Sequence, residues 1–365
     1  MQTDLDRFLG MSPPVPPPCR HAGVCGGCAV QAVEDGAVAA WKRDHIANAL
    51  QRVGLSAEIE PTATVAPATR RRATLTSMRQ GKHVLLGFNE RRSDRIVELR
   101  ECKVLTPKLE ALLPALRDLV GILLQQRDTA DLALTEAQNG IELVVVRKRA
   151  LALLDLETLA AFAETHDLAR VAWRSTVRTP VEPIAVRRVP TITLGGVRVA
   201  LPPAAFLQPS ADGENLLIDR VQATMTGAKR IADFFCGVGT FALPLAASGA
   251  TVTAFDGDKD AVAALAATRK TTAIVRDLFR EPLSEKELRD FDAAVLDPPR
   301  AGAAAQVATL ADADFDRLTY VSCNPASFAR DARVLVAGGW KLGEILPVDQ
   351  FRWSAHVELV ARLSR

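Results

Sequence analysis

The sequence predicts an α/β protein, with a doubly wound, mostly parallel sheet over residues 201–365 and an α+β region over residues 1–200 that carries a four-cysteine group. Three observations predict it. Past Leu201, short apolar runs alternate with helical patterns, as buried parallel strands and their crossovers require. Before Leu201, residues 62–103 read as short antiparallel strands broken by frequent turns, and 141–198 as a strand-rich α+β unit. The length of 365 residues, 48% hydrophobic and 24% charged, suits two globular domains with sizeable cores.

In chain order, Pro13 to Pro18 form a stiff, proline-rich lead-in expected to stay outside any packed element. A cysteine- and glycine-rich knot follows, Cys19 to Cys28. A helix near 36–54 comes next and is expected to pack on the second half. After the turn-rich 62–103 stretch, residues 107–127 are helical. IELVVVRK, a helical LDLETLAAFAETHDL, VAWRS and TITLGGVRVAL then make a second α+β unit. In the second half the strands are IADFFC, TVTAFD, TAIVRD, AAVLDPP and LTYVSC, with WKLGEILPVD and HVELVARL last. No apolar run approaches the ~18 residues of a membrane span and no signal-peptide pattern opens the chain, so a cytoplasmic protein is expected.

The net charge of +2 is unevenly spread. Residues 70–103 carry ten Lys and Arg against four Asp and Glu, beginning with Arg70, Arg71 and Arg72. Such a local excess is the footprint expected of phosphate-backbone binding, and also of an ordinary solvated face.

The segment Asp233-Phe234-Phe235-Cys236-Gly237-Val238-Gly239-Thr240 leaves the first strand of the second half and opens a helix. Its glycines let backbone approach a ligand at the carboxyl end of the strand, and Asp256 at the end of the next strand suits two ribose hydroxyls. On the glycines alone, a dinucleotide-dependent dehydrogenase stays open. The fourth and fifth strands end in Leu296-Asp297-Pro298-Pro299-Arg300-Ala301-Gly302 and Val321-Ser322-Cys323-Asn324-Pro325, which hydride transfer does not need. A rigid, polar-tipped Asp-Pro-Pro loop suits an enzyme that presents a methyl donor to a planar base.

With DFFCGVGTFALPLA, LDPPRAG, YVSCNPASFARD and AHVE in that order, the chain resembles the RNA uridine-C5 methyltransferase family, and the cysteine knot extends the resemblance over nearly the whole chain. The resemblance implies a Rossmann-like class I domain binding S-adenosylmethionine, with Gln208, Phe235, Gly237, Gly239, Thr240, Asp256, Asp277 and Asp297 at the donor site. Here Pro209 and Ser210 follow Gln208, where the family usually has a small aliphatic and an asparagine.

Uracil C5 is a poor nucleophile. A thiolate added to C6 gives an enolate that can take the methyl, after which a base must remove the C5 proton so that the thiolate can leave. Cys323, at the carboxyl end of a parallel strand, suits the nucleophile, and the resemblance places the base at Glu358. Cys236, in the glycine loop, is expected to be structural. His356 is a candidate for orienting the site, and Ser354 stands where the family usually has threonine.

Cys19, Cys25 and Cys28 follow a C-x5-C-x2-C spacing, with Cys102 as a fourth. Four thiolates can close around zinc or an iron–sulfur cluster, and their chemistry alone does not choose. The resemblance implies a [4Fe-4S] cluster on Cys19, Cys25, Cys28 and Cys102, clipping the basic subdomain in place. Only 18 residues precede Cys19, too few for the RNA-binding β-barrel of many relatives. Recognition is therefore expected from residues 70–103 and 141–198 and from the catalytic cleft.

The expected function is methylation of C5 of a uridine in RNA, 23S ribosomal RNA above all, by a monomer. The competing readings are a nitrogen-directed methyltransferase that uses the DPPR loop without a nucleophilic cysteine, and a metal-stapled RNA-binding protein with an inactive catalytic domain.

Overall fold

The computed structural model describes residues 2–365. Its larger sheet has eight strands in the spatial order Ala63–Thr64, Lys341–Asp349, Glu358–Ser364, Arg317–Ser322, Ala293–Leu296, Arg230–Phe234, Thr251–Asp256, Thr272–Val275. Six of its neighbouring pairs join the seven strands expected after Leu201. Four are parallel, and Glu358–Ser364 runs antiparallel to both its neighbours. The strand order reverses at Arg230–Phe234, so a crevice opens at the carboxyl ends of Arg230–Phe234 and Ala293–Leu296.

Local chemistry starts the crossover helices where the strands end. Asp258 accepts from the Asp260 and Ala261 N–H groups at the start of Lys259–Ala267. Asn324 caps Pro325–Ala337, with Pro325 in the first turn where no N–H is needed. Two apolar layers sandwich the sheet. One holds Phe234, Phe255, Leu296, Tyr320 and Trp340, and the other holds Ile231, Val252, Val295, Val321 and Val360.

A second sheet of seven strands, in the order Ile96–Glu98, His83–Asn89, Arg72–Gln80, Thr129–Ala137, Gly140–Val146, Arg170–Arg174, Glu182–Val186, forms the α+β region. Its core is closed by the helices Leu113–Leu123 and Leu153–Thr165. The helix Asp35–Gln51 packs against Pro325–Ala337, and its Ile46, Ala49 and Leu50 enter the core of the larger sheet. Residues 59–64 then pair along the edge strand Lys341–Asp349. The hairpin Thr191–Leu194/Val197–Ala200 also contributes Ile192, Leu194 and Val199 to that larger core.

Two sequence expectations change here. The proline-rich lead-in is packed, because Pro14 bridges Val33 and the Val15 N–H donates to the Ala32 carbonyl at 2.8 Å. Proline blocks only its own N–H, and Val15 supplies the one donor this bridge needs. Six of the ten cations in the basic stretch 70–103 are paired with acids, some inside the stretch and some from elsewhere in the chain. Arg71 pairs with Glu214 at 2.7 Å, Arg91 and Arg92 with Asp6, and Lys103 with Glu101. Arg79 donates to the Gly121 and Leu124 carbonyls at a helix end. Among the described residues, no helix is long and apolar enough to cross a membrane.

Candidate active site

The glycine loop is shaped by backbone chirality. Phe235 sits at φ 63°, a left-handed conformation costly for an aromatic residue, and Gly237 and Gly239 follow at 52° and 99°. A Cβ at Gly239 would stand 2.6 Å from Leu265 Cδ1, so glycine there lets the loop pack on the next helix. The turn aims the Gly237 N–H at Asp256 Oδ2 (2.9 Å), while the Asp258 N–H binds Asp256 Oδ1 (2.8 Å). Asp256 is thereby fixed at the mouth of the crevice.

A cavity of about 680 Å³ occupies that crevice and brings together Gln208, Phe235, Gly237, Asp256, Asp277, Asp297, Cys323 and Glu358. Gly239 and Thr240 are not among its lining residues, because they turn away into the helix start. Phe279 packs on Phe235 with ring centroids 5.5 Å apart, and Phe206 lies under the Arg72 guanidinium, 4.6 Å from its ring centre. Both aromatics line the cavity, and neither was singled out from sequence.

The loops carrying Asp297 and Cys323 are stitched to each other. Asn324 Nδ2 donates to the Arg300 carbonyl (2.9 Å) and Arg330 to the Ala301 carbonyl (2.9 Å). The buried Asp331 accepts from the Ala303 N–H (2.8 Å) and from the Tyr320 hydroxyl (2.6 Å). Arg300 is held beside Cys323 by this lattice, and its charge favours the thiolate. Burial and the charges of Glu358 and Asp297 act the other way, pushing the Cys323 thiol up to about 11.

Glu358 opens the last strand and is 3% exposed. Burial, then the charge of Asp297, lifts its carboxyl well above the ordinary range, while a bond from Gln350 pulls the other way. Asp297 is lifted too, by burial and by Asp256. Asp233 is fully buried one strand position before the glycine loop, and its carboxyl is raised well above normal by burial and by Asp297. The sequence signal for Asp233 was an acid inside the apolar run IADFF. An acid in such a run either serves the site or stays neutral.

A second cavity of about 750 Å³ abuts the first and shares Arg70, Arg300, Cys323 and Phe351 with it. Its far wall carries Cys19, Cys25, Cys28 and Cys102, so the structure brings the four sequence-selected cysteines to one place. All four are free thiols. Burial pushes Cys28 up to about 12 and raises Cys25 and Cys102, with the neighbouring thiols adding to each. Among the described residues, no three Cys, His, Asp or Glu side chains close around one point as ligands of a single metal ion do. Gly26 lies so close to Asn89 that a Cβ would stand 2.6 Å from its carbonyl oxygen. His356, on the same cavity, meets Arg300 at 3.5 Å and Phe351 edge-on. Cys236 is buried in the protein core, as a structural thiol would be.

Residues 198–365 match the model of the tRNA (uracil-5-)-methyltransferase family. An uncharacterized RNA methyltransferase of Caulobacter vibrioides is 41% identical, over 99% of this chain and 89% of the relative. One from Brucella suis biovar 1 is 39% identical, over 96% and 84%. The 23S rRNA (uracil(1939)-C(5))-methyltransferase RlmD of Acidithiobacillus ferrooxidans is 33% identical, also over 96% and 84%. In fold, the chain is similar to the Pyrococcus abyssi tRNA (uracil-54, C5)-methyltransferase solved with S-adenosyl-L-homocysteine. The TM-score is 0.73 at 24% identity, covering 93% of this chain and 84% of that one. A similarity that runs nearly end to end through curated relatives settles the family: the chain belongs to the RNA uracil-C5 methyltransferases, enzymes that depend on S-adenosylmethionine.

Proposed function

We propose that the protein methylates C5 of a uridine in 23S ribosomal RNA, with Cys323 as nucleophile and Glu358 as base. The observation that carries this reading is that both residues line the cavity which also holds Asp256, Asp297 and the glycine loop. The donor's adenosine fits against Phe235 and Phe279, its ribose against Asp256, and its methyl end toward Asp297. The uracil enters from the second cavity, so its C6 meets Cys323 at the junction of the two. Similarity to the Acidithiobacillus ferrooxidans enzyme supports ribosomal RNA as the substrate class. The test is mass mapping of 5-methyluridine in 23S ribosomal RNA from a deletion strain. A full complement of the modified base would overturn the reading.

A base must be ionised to act. A carboxyl raised by burial is neutral below its pKa and a base above it, so release of the methylated adduct should accelerate as pH rises through about 8. Below that midpoint the gain is about tenfold per pH unit, with a plateau above it. The measurement is the decay of preformed adduct against pH. A rate that is flat from pH 6 to 9 would remove Glu358 from the role.

The four thiols fit an iron–sulfur cluster better than a lone ion. They form an all-sulfur donor set lining one cavity, which Arg70 and Arg91 also line. Cys19, Cys25, Cys28 and Cys102 would hold a [4Fe-4S] cluster, whose contribution is to brace this wall. The brace reaches the active site through the backbone. The Ala29 and Val30 N–H groups, just past Cys28, both donate to the Trp353 carbonyl at 2.7 and 3.0 Å, on the loop that leads to Glu358. Protein purified without oxygen should be brown and contain about four irons per chain, and Cys102→Ser should lower that content. Colourless anaerobic protein with stoichiometric zinc would overturn the assignment.

A further inference from the structure

The strands Lys341–Asp349 and Glu358–Ser364 form a hairpin whose connecting loop starts at Gln350 and ends just before Glu358. Val348 is paired with Glu358, so Gln350 and Glu358 stand at the two feet of that loop. Gln350 is 2% exposed. Its Nε2 donates to Glu358 Oε2 at 3.2 Å and to Gln208 Oε1 at 2.8 Å, which uses both of its N–H bonds. Gln208 Nε2 in turn reaches Asp297 Oδ2 at 3.4 Å. Two amides thus join the carboxyl beside the methyl donor to the carboxyl beside the target base.

We infer that Gln350 is a positioning residue of the reaction: its amide holds the Glu358 carboxylate in base-ready orientation, anchored by its second N–H on Gln208. The inference rests on the reading of Glu358 as the base.

Three features support it. First, the direction of the chain is fixed by chemistry. Each amide nitrogen can only donate and an ionised carboxylate can only accept, so the arrangement is satisfied when Glu358 is ionised. The bond falls on Oε2, and among the described residues no donor occupies Oε1, which is left for the C5 proton. Second, Gln350 cannot swing away. The backbone of Gly213 lies against it, and a Cβ there would stand 2.6 Å from Gln350 Cβ. Gly213 belongs to the helix Ala211–Thr224, whose Glu214 is locked to Arg71, and Arg71 also donates to the Gln208 carbonyl at 2.9 Å. Third, Gln350 Oε1 is buried with no partner. A purely structural glutamine would be expected to satisfy both ends of its amide, whereas this one leaves its oxygen unpaired and commits its nitrogen to Gln208 and Glu358.

The test compares Gln350→Met, of similar length but without a donor, with Glu358→Gln and the unaltered enzyme. A bond to the charged form lowers a carboxyl's pKa, so losing it should move the pH midpoint for release of the methylated adduct up by about one unit. At neutral pH that is about a tenfold slower release. Methyl-donor affinity measured by calorimetry should stay within about twofold. An unmoved midpoint overturns the inference, as does donor affinity falling in step with the rate, which is the mark of a structural role. Gln350→Glu keeps the size and sets a like charge beside Glu358, so it should raise the midpoint further. If Gln350→Met does not fold, an unmoved midpoint in Gln350→Glu overturns the inference. Glu358→Gln separates the two claims. If it releases product normally, the base reading fails and takes this inference with it. If it stalls while both Gln350 variants keep the normal midpoint, the base reading stands and the positioning role alone is wrong.

Discussion

Cys323→Ala should yield neither methylated RNA nor any covalent RNA–protein species, whereas Glu358→Gln should transfer the methyl group and then stall. The difference follows from the order of bond making. Sγ of Cys323 must bond to C6 before C5 has the electron density to attack the sulfonium methyl, so without the thiol nothing downstream occurs. Glu358 is needed only afterwards, when loss of the C5 proton lets the ring expel the thiolate. The trapped species in Glu358→Gln is methylated RNA bonded to Cys323, seen as a denaturant-resistant band carrying label from the methyl donor. Each variant should lose at least the ~10²–10⁴-fold typical of general-base removal. The double variant should show no band, because the adduct needs Cys323. Glu358→Gln also replaces a buried carboxyl held far above its normal pKa. Ionising such a group costs folding stability as pH rises from its unfolded pKa to its folded one. The variant should therefore be no less stable than the parent at neutral pH and more stable at pH 9. Normal turnover by Glu358→Gln, or a stalled enzyme without labelled adduct, would place the base elsewhere.

The parts of this site that sequence reveals are those whose chemistry is local. The glycine loop needs left-handed backbone within a few residues, Asp297 and Cys323 sit where buried strands must end, and the cysteines are spaced for ligation. What sequence hides is pairing at long range. Arg71 looked like a phosphate contact in a basic run, but Glu214 lies 143 residues away in sequence and claims it. A count of charges in a window cannot see such a partner, and burial of the pair at 11% and 6% side-chain exposure turns a binding surface into a brace. Gln350 is hidden for the same reason. A glutamine between an aspartate and a phenylalanine carries no motif, and only the hairpin register brings it onto Glu358. The helix Asp35–Gln51 was legible as a helix from its pattern. Ile46 and Leu50 seat it in the core of the larger sheet.

Lys42→Met should destabilise the protein severely and should damage catalysis in whatever fraction still folds. Lys42 lies on the helix Asp35–Gln51 with no exposed side-chain surface, and its Nζ is 2.5 Å from Asp349 Oδ1, itself 3% exposed. Its Nζ also approaches the Phe351 carbonyl at 3.4 Å. One ammonium therefore secures both residues that flank Gln350, at the wall shared by the two cavities. Burial lowers the Lys42 pKa, and the charge of Asp349 offsets part of that. Removing only the lysine leaves the buried Asp349 carboxylate without its ion-pair partner, at a cost of about 3–5 kcal/mol. That cost is a large share of the stability of an ordinary domain. Replacing both members with apolar residues, Lys42→Met with Asp349→Leu, removes the stranded charge and should recover much of the loss. Activity should not recover with it, because the loop foot that aims Gln350 at Glu358 loses its anchor. Denaturant unfolding of the two variants, run beside adduct release, checks both halves. A single variant as stable as the parent would show that Asp349 finds another partner, and a double variant with full activity would show that the anchor is dispensable.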